Sequence, residues 1–277
     1  MKQQIVVLGS AGMLGRYVYS YFKQFPEYDV VGLTRKEIGD FKDLTTIGKV
    51  ASAIACEIGL YLPTIIINTS GVIKPQIDKV GKLTTIQINS LLPHVLAEFC
   101  DKFKFKFIHA QTDCCHGTRG NYKVSDEHDC SDFYGRTKSL GEPDNAVVIK
   151  TSIIGEEVDT SRSLVEWVKS NAGKTINGFT NHQWNGNTCL EWAKFAKFCI
   201  EGNLPYLTYH LTGQSVNKYT LLDQINSTYN LGITIKSVED STSIDRTLVS
   251  NCQHLYSTPG LREQLEEMKD FGPTLRG

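Results

Sequence analysis

The 277-residue chain lacks several things, and each shortage removes a class of function. It has no excess charge of either sign: 29 Lys and Arg face 30 Asp and Glu, for a formal net charge of -1. No dense Lys/Arg block breaks that balance, so the footprint for gripping nucleic acid is missing and no nucleic-acid partner is expected. No stretch stays apolar for the roughly 18 residues a spanning helix needs, so no membrane partner is expected either. The start carries a lone Lys2 before the strand-like Ile5-Val6-Val7-Leu8. It has neither the apolar segment nor the small-residue cleavage site of a signal peptide. Eight cysteines do occur, at 56, 100, 114, 115, 130, 189, 199 and 252, but no Cys-x-x-Cys joins any two. Their spacing fits neither a zinc ribbon nor a disulfide framework, and no metal site is expected. What remains is a soluble protein of the reducing cytoplasm.

Alternating strand-like and helix-like runs fill the first 150 residues. Ile5–Leu8, Val30–Leu33, Thr64–Ile67, Phe105–Ile108 and Ala146–Ile149 are short apolar runs of the kind buried on both faces of a sheet. Between them, Met13–Phe25, Leu44–Gly59 and Thr84–Phe103 carry helical patterns. The alternation predicts an α/β fold with a doubly wound parallel sheet of Rossmann type. Beyond residue 150 the pattern is less regular. Helices are expected at Leu164–Ala172, Leu190–Glu201, Leu221–Tyr229 and Leu261–Met268, with loops at Asn177-Gly178-Phe179 and Asn185-Gly186-Asn187. Leu207–Leu211 is a short apolar run, and Ile233–Val238 reads as a strand. The expected division is a dinucleotide-binding domain at 1–150, to which 187–217 returns, and a smaller C-terminal substrate lobe from 151–186 and 218–277.

The first strand runs directly into Gly9-Ser10-Ala11-Gly12-Met13-Leu14-Gly15. Glycines there permit a tight turn and close approach of backbone to a pyrophosphate, and the helix that follows offers unpaired N–H groups. Position and spacing together predict a dinucleotide site, with Gly9, Ala11, Gly12, Met13 and Leu14 touching the cofactor. The second strand ends in Leu33-Thr34-Arg35-Lys36 with no acid at its tip. An acid there would serve the ribose of NAD, whereas Arg35 suits the 2′-phosphate of NADP(H). The other reading of Arg35 and Lys36 is a pair of solvated surface charges. Asp40 and Phe41 follow at the expected adenine end.

Thr112 stands just past the fourth strand, and 22 residues later comes Tyr134-Gly135-Arg136-Thr137-Lys138. On a helix, Tyr134 and Lys138 share a face one turn apart. A phenol is a weak acid near neutrality, and an adjacent ammonium stabilises its phenolate. Thr112 can hold a substrate oxygen beside that phenol. Hydride addition to a carbonyl requires a proton for the carbonyl oxygen, which this trio would supply.

With these residues in place the chain resembles the extended short-chain dehydrogenase/reductase family, and within it dTDP-4-dehydrorhamnose reductase and related nucleotide-sugar 4-ketoreductases. The likeness runs over nearly the whole length, through VVLGSAGMLG, Gln111-Thr112-Asp113, YGRTKSLGE from Tyr134 and IKTSIIG from Ile149. It implies Thr112, Tyr134 and Lys138 as catalytic residues, with Tyr134 and Lys138 also on the cofactor. It implies cofactor contacts from the loop Asn68-Thr69-Ser70-Gly71. Ile73, Thr112, Asp113, Thr151 and Ser152 are implied on the substrate side.

Two departures bear on the substrate. Cys114 stands where the rhamnose-precursor reductase has Tyr, and Ile153 follows Lys150-Thr151-Ser152 where that enzyme has Trp. Their absence leaves room for another 4-keto sugar, such as a UDP-linked 2-acetamido-2,6-dideoxyhexulose. Cys114 also matches the position of an acid/base cysteine in GDP-fucose synthase, which epimerises before it reduces. No His lies in 159–169, where that enzyme keeps its partner acid, though Cys115, His116 and His182 are substitutes. In the second lobe, His182 and Trp184 are expected near the nucleotide, and Arg246 at its diphosphate. The reading is an NADPH-dependent C4-ketoreductase of a nucleotide-linked 4-keto-6-deoxyhexose, with the nucleotide sugar as partner and a homodimer as the assembly. The alternatives are a bifunctional 3-epimerase/4-reductase and a non-catalytic dinucleotide-binding regulatory subunit.

Overall fold

The computed structural model describes residues 2–58 and 64–276. Five strands, β1 (Gln3–Leu8), β2 (Tyr28–Leu33), β3 (Thr64–Asn68), β4 (Lys106–Gln111) and β5 (Val147–Lys150), join Thr208–His210 in one six-stranded sheet. Every pairing is parallel, and the spatial order is Thr208–His210, β5, β4, β3, β1, β2. The order reverses at β1, so a crevice opens between the strand ends of β1 and β3, where ligands of such sheets bind.

Alternation within β1 builds two cores at once. Ile5 and Val7 point into one cluster, beneath helices α1 (Met13–Phe22) and Cys189–Glu201. Val6 and Leu8 point into the other, beneath Leu92–Phe103. Each such buried side chain contributes roughly 1.5–3 kcal/mol of transfer free energy, which is why a run of four apolar residues in β1 is required rather than an alternating one.

Register aligns the functional edge. Leu8 pairs with both Leu33 and Asn68, Asn68 with His109, and Gln111 with Lys150. The glycine turn after Leu8, the Asn68 loop and Thr112 therefore emerge at the same edge of the sheet.

Several local expectations shift. α1 stops at Phe22, three residues before Phe25, whose ring packs edge-on against Tyr21. The second predicted helix starts at Ile47 because the Thr46 hydroxyl accepts the Lys49 N–H, and its predicted end at Gly59 lies outside the described residues. The long helix begins at Lys82 and contains a wide π turn over Gln87–Leu91. Pro93 lacks an N–H, so the Asn89 carbonyl has no amide four residues on, and Gly141 packs against that oxygen. Asn177-Gly178-Phe179 is no loop: it belongs to the strand Thr175–Phe179, paired in parallel with Thr234–Val238. Gly178 is needed there because a Cβ would lie 2.8 Å from the Tyr219 Cα. Leu207–Leu211 supplies the edge strand Thr208–His210. A small three-stranded sheet, Val216–Asn217 with His182–Trp184 and Ile244–Asp245, flanks the main one. Among the described residues no helix is long and apolar enough to cross a membrane.

Candidate active site

The glycine turn is built to be narrow. Gly9 has φ of 82°, in the left-handed region that disfavours other residues, and a Cβ there would meet the Ser70 backbone at 3.0 Å. A Cβ on Gly15 would lie 2.1 Å from the Gly9 carbonyl oxygen and 2.8 Å from Thr69 Oγ1. The Gly9 amide donates to Leu33 O (2.9 Å), and Thr69 donates to Leu8 O through N (3.0 Å) and Oγ1 (2.7 Å). β1, β2 and the Asn68 loop are thereby clamped around one backbone turn. Gly12 is the N-cap of α1 and brings no side chain to its amides. The first N–H groups of α1, those of Met13 and Leu14 included, are thus unshielded by any cap and suit a pyrophosphate. Exposed Ala11 and Gly12 form the outer lip of the turn.

At the end of β2, Arg35 and Lys36 are exposed. An acid does reach this tip, although it is not adjacent in sequence. Glu37 folds back so that its carboxylate accepts from Thr34 N (2.8 Å) and Oγ1 (2.6 Å), completing a capping box with Thr34. Those bonds hold the Glu37 carboxyl below its usual range. Asp40 caps the next turn through Lys42 N (3.2 Å), and Phe41 is buried. Asn68 is fully buried; its Oδ1 accepts from Ser70 N (3.1 Å), and its Nδ2 lies 3.2 Å from His109 Nδ1. Gly71 and Ile73 are exposed beyond that loop.

Tyr134 and Lys138 lie on the helix Phe133–Ser139, on one face. Asp132 caps its start by accepting the Gly135 N–H (2.8 Å). Lys138 is buried and donates to Ala110 O (3.1 Å) at the end of β4, and burial brings its ammonium down to about 8. The Tyr134 phenol is raised, first by burial and then by Cys114 and Asp113, while Thr112 opposes the rise. It remains a protonated acid throughout the neutral range. Gln111 ties the two sides together: Nε2 donates to Lys138 O (2.7 Å) and Oε1 accepts the Thr112 N–H (3.0 Å).

Thr112 accepts the Cys114 N–H (3.2 Å) and donates its hydroxyl proton to Asp113 Oδ1 (3.1 Å). Asp113 is buried, and burial raises its carboxyl against the opposing charge of Arg246. Burial likewise pushes the Cys114 thiol up to about 12, with Asp113 adding to the rise and Arg246 resisting it. Arg246, 133 residues beyond Asp113 in the chain, therefore reaches the same place.

Its loop is held on both sides. Arg246 N donates to Gln183 O (3.4 Å), Leu248 N to Asn185 Oδ1 (3.1 Å), and Tyr122 N to Thr247 O (3.1 Å). Buried Thr151 receives Asn187 Nδ2 at 3.3 Å, and the Ser152 carbonyl accepts the Asn187 N–H (2.9 Å). Trp184 lies over Gly186, where a Cβ would come within 2.6 Å of the indole. His182 Nε2 lies 3.2 Å from Asp240 Oδ2 and 3.2 Å from Thr242 O.

Two groups of residues escaped the sequence reading. Asn89, in the π turn, accepts the Val72 N–H (2.8 Å) and donates to Val72 O (3.0 Å) and Thr137 Oγ1 (3.2 Å), fixing the helix Phe133–Ser139 to the loop after β3. Its signal was a buried Asn-Ser pair inside an apolar helical pattern, with Pro93 four residues on. Beneath Lys138, ligand atoms of Cys115, His128 and Glu142 lie within 4.8 Å of one another. The Lys150 ammonium sits among them, 2.7 Å from His128 Nε2 and 2.9 Å from Glu142 Oε2, and already serves as the cation of this cluster. A separate cavity of about 260 Å³, walled by 211–214, 250, 252, 253 and 256–260, has no charged side chain in its wall.

A parallel sheet with its order reversed at a glycine turn, and a Tyr and Lys one helical turn apart beside a Thr at the strand ends, is the architecture of a Rossmann-type reductase. The sequence model of the RmlD substrate binding domain matches residues 1–231, and the chain belongs to that family. No curated protein matches the sequence. Among solved structures, dTDP-4-dehydrorhamnose reductase from Bacillus anthracis str. Ames, in complex with NADP, is 19% identical with a TM-score of 0.81, covering 98% of this chain and 99% of its own. A dTDP-4-dehydrorhamnose reductase ortholog from Clostridium acetobutylicum is 16% identical with a TM-score of 0.79, at 98% and 99% coverage. The Bordetella bronchiseptica enzyme WbmG, in complex with NAD and UDP, is 11% identical with a TM-score of 0.70, at 97% and 94%. Identities this low establish a common fold.

Proposed function

We propose that the protein is an NADPH-dependent reductase of the C4 ketone of a nucleotide-linked 4-keto-6-deoxyhexose, acting in the cytoplasm. The observation that carries this reading is the placement of Thr112, Tyr134 and Lys138 at the sheet edge where the glycine turn also opens. The solved relative in complex with NADP supports the choice of cofactor. The turn fits such a cofactor, because a Cβ at Gly9 or Gly15 would close the backbone cradle and α1 begins with uncapped amides. Gly9 to Leu14 and the Asn68–Gly71 loop would hold it, with Arg35 at the 2′-phosphate and Asp40 and Phe41 at the adenine. When bound it supplies the hydride.

This chain's own residues do the rest. Tyr134, held protonated by burial, gives its phenolic proton to the ketone oxygen, completing the C–H and O–H bonds of the product alcohol. Lys138 balances the phenolate that remains until solvent returns a proton. Thr112 positions the oxygen, and Thr151, Ser152, Asp113 and Cys114 border the sugar. Residues 1–150 with 187–217 would serve the cofactor, and 151–186 with 218–277 the nucleotide, through Trp184, His182 and Arg246. Exposed Leu83, Ile86 and Leu91 on one helix stretch, with Leu140 alongside through the His94 contact (2.7 Å), favour a homodimer. The test is to supply the 4-keto products of UDP-GlcNAc and dTDP-glucose dehydratases and follow NADPH oxidation. Turnover of neither would refute the proposal.

A further inference from the structure

We infer that Lys74 is a second diphosphate ligand, which Asp132 holds through an exchangeable ion pair. The inference rests on the nucleotide-sugar reading above and concerns how that substrate's charge is met.

A diphosphate bridge carries two negative charges and is poorly matched by one guanidinium. Arg246 makes no hydrogen bond or ion pair through its side chain among the described residues, yet Asp113, Cys114 and Asp132 all feel its charge. It is a partly buried cation with free donors at the mouth of the site. Asp132 divides its carboxylate between two tasks. Oδ1 accepts the Gly135 N–H (2.8 Å) at the start of the catalytic helix, and Oδ2 accepts from Lys74 Nζ (3.1 Å). Burial works against ionisation of this carboxyl, but the Gly135 N–H, Lys74 and Arg246 together hold it below its usual range.

One anion thus pairs with Lys74, from the turn after β3, and feels the charge of Arg246, from the second-lobe loop. The Lys74–Asp132 pair is exposed enough to exchange easily, with side chains 65% and 35% accessible. Of the cations nearby, Lys138 donates to Ala110 O and Lys82 lies over the Phe133 ring at 5.6 Å. A diphosphate entering beside Arg246 presents more charge than one carboxylate and takes Lys74 from Asp132. Lys74 then sets specificity for two linked phosphates over one.

The test is calorimetric titration of the full chain, with NADP present, using UDP and dTDP and then UMP and dTMP as probes. Lys74→Gln should weaken diphosphate binding about tenfold, as loss of a charge-assisted contact does, and affect the monophosphates less. Asp132→Asn keeps the oxygen that caps Gly135 and removes the competing charge, so it should tighten diphosphate binding about threefold. Lys74→Gln in that background should erase the gain. Diphosphate binding that ignores both substitutions overturns the inference alone. A wild-type enzyme that binds no nucleoside diphosphate overturns the nucleotide-sugar reading, and this inference with it.

Discussion

Lys138→Met should make the ligand-free protein more stable while removing its activity. Lys138 is 6% exposed, and burial lowers its ammonium from 10.5 to about 8. At about 1.4 kcal/mol per pKa unit, holding that charge in the folded state at neutral pH costs about 3 kcal/mol. The hydrogen bond to Ala110 O (3.1 Å) returns about 1–2 kcal/mol. A methionine of similar length avoids the cost and forfeits the bond, for a net gain of about 1–2 kcal/mol, or a Tm higher by roughly 2–8 °C. The pH dependence fixes the cause. Between pH 8 and 10.5 the unfolded chain binds the lysine proton more fully than the folded one, so wild-type stability rises with pH in that window. The advantage of the variant should therefore be greatest below pH 8 and shrink toward pH 10. Urea unfolding of both proteins from pH 6 to 10, without cofactor, reads this difference, and other titrating groups cancel in it. A variant less stable than wild type at pH 7, or a difference flat across the range, would refute the argument.

Tyr134→Phe should lower kcat by about 10²–10⁴, the range of general acid catalysis, while NADPH affinity measured by fluorescence titration stays within twofold; retained turnover removes the phenol from the reaction. Gly15→Ala would put a Cβ 2.1 Å from Gly9 O, and the forced opening of the turn should cost about 1–3 kcal/mol in unfolding experiments together with most of the NADPH affinity. Normal cofactor binding by that variant would show that the turn is not the cradle. The Cys114 thiol, at about 12, is protonated at neutral pH, so Cys114→Ser should keep reduction, and product made in deuterium oxide should carry no deuterium at the carbons flanking the former ketone. Deuterium there that disappears in Cys114→Ser would instead establish epimerisation.

What the sequence made legible was decided locally. Ile5–Leu8 reads as a buried strand because burial on both faces needs an unbroken apolar run, and both cores confirm that requirement. Tyr134 and Lys138 could be paired because helical spacing alone puts them on one face. Misreadings occurred where a distant partner overrode local preference. Asn177-Gly178 looks like a turn, but Lys236 and Ser237 pair with it from nearly 60 residues away. The tip of β2 looks free of acid because Glu37 returns to it only through the Thr34 capping box. Asn89, Lys74 and Asp132 are single polar residues whose meaning lies in what they meet across the fold, and spacing carries no trace of that.

The same distinction explains why so much charge is buried below Tyr134 and Lys138. The helix Phe133–Ser139 has only seven residues, too few to hold its shape unaided, so both ends must be fixed from outside. Asp132 fixes the first end through Gly135. At the other, Lys150 is 1% exposed, and a buried ammonium persists only where it is paired. It contacts Glu142 Oε2 (2.9 Å) and His128 Nε2 (2.7 Å), and Glu142 Oε1 accepts from Thr208 Oγ1 (2.6 Å). Because His128 Nε2 accepts from the ammonium, its Nδ1–H is left to donate to Ser139 Oγ (2.7 Å). One lysine thereby ties β5, the edge strand and the end of the helix Phe133–Ser139 together, and removing one partner of such a buried pair costs about 3–5 kcal/mol. A hydrophobic plug would fill the space without fixing direction. The hydrogen bonds fix both the height and the rotation of the helix, and so the position of the Tyr134 hydroxyl relative to Thr112.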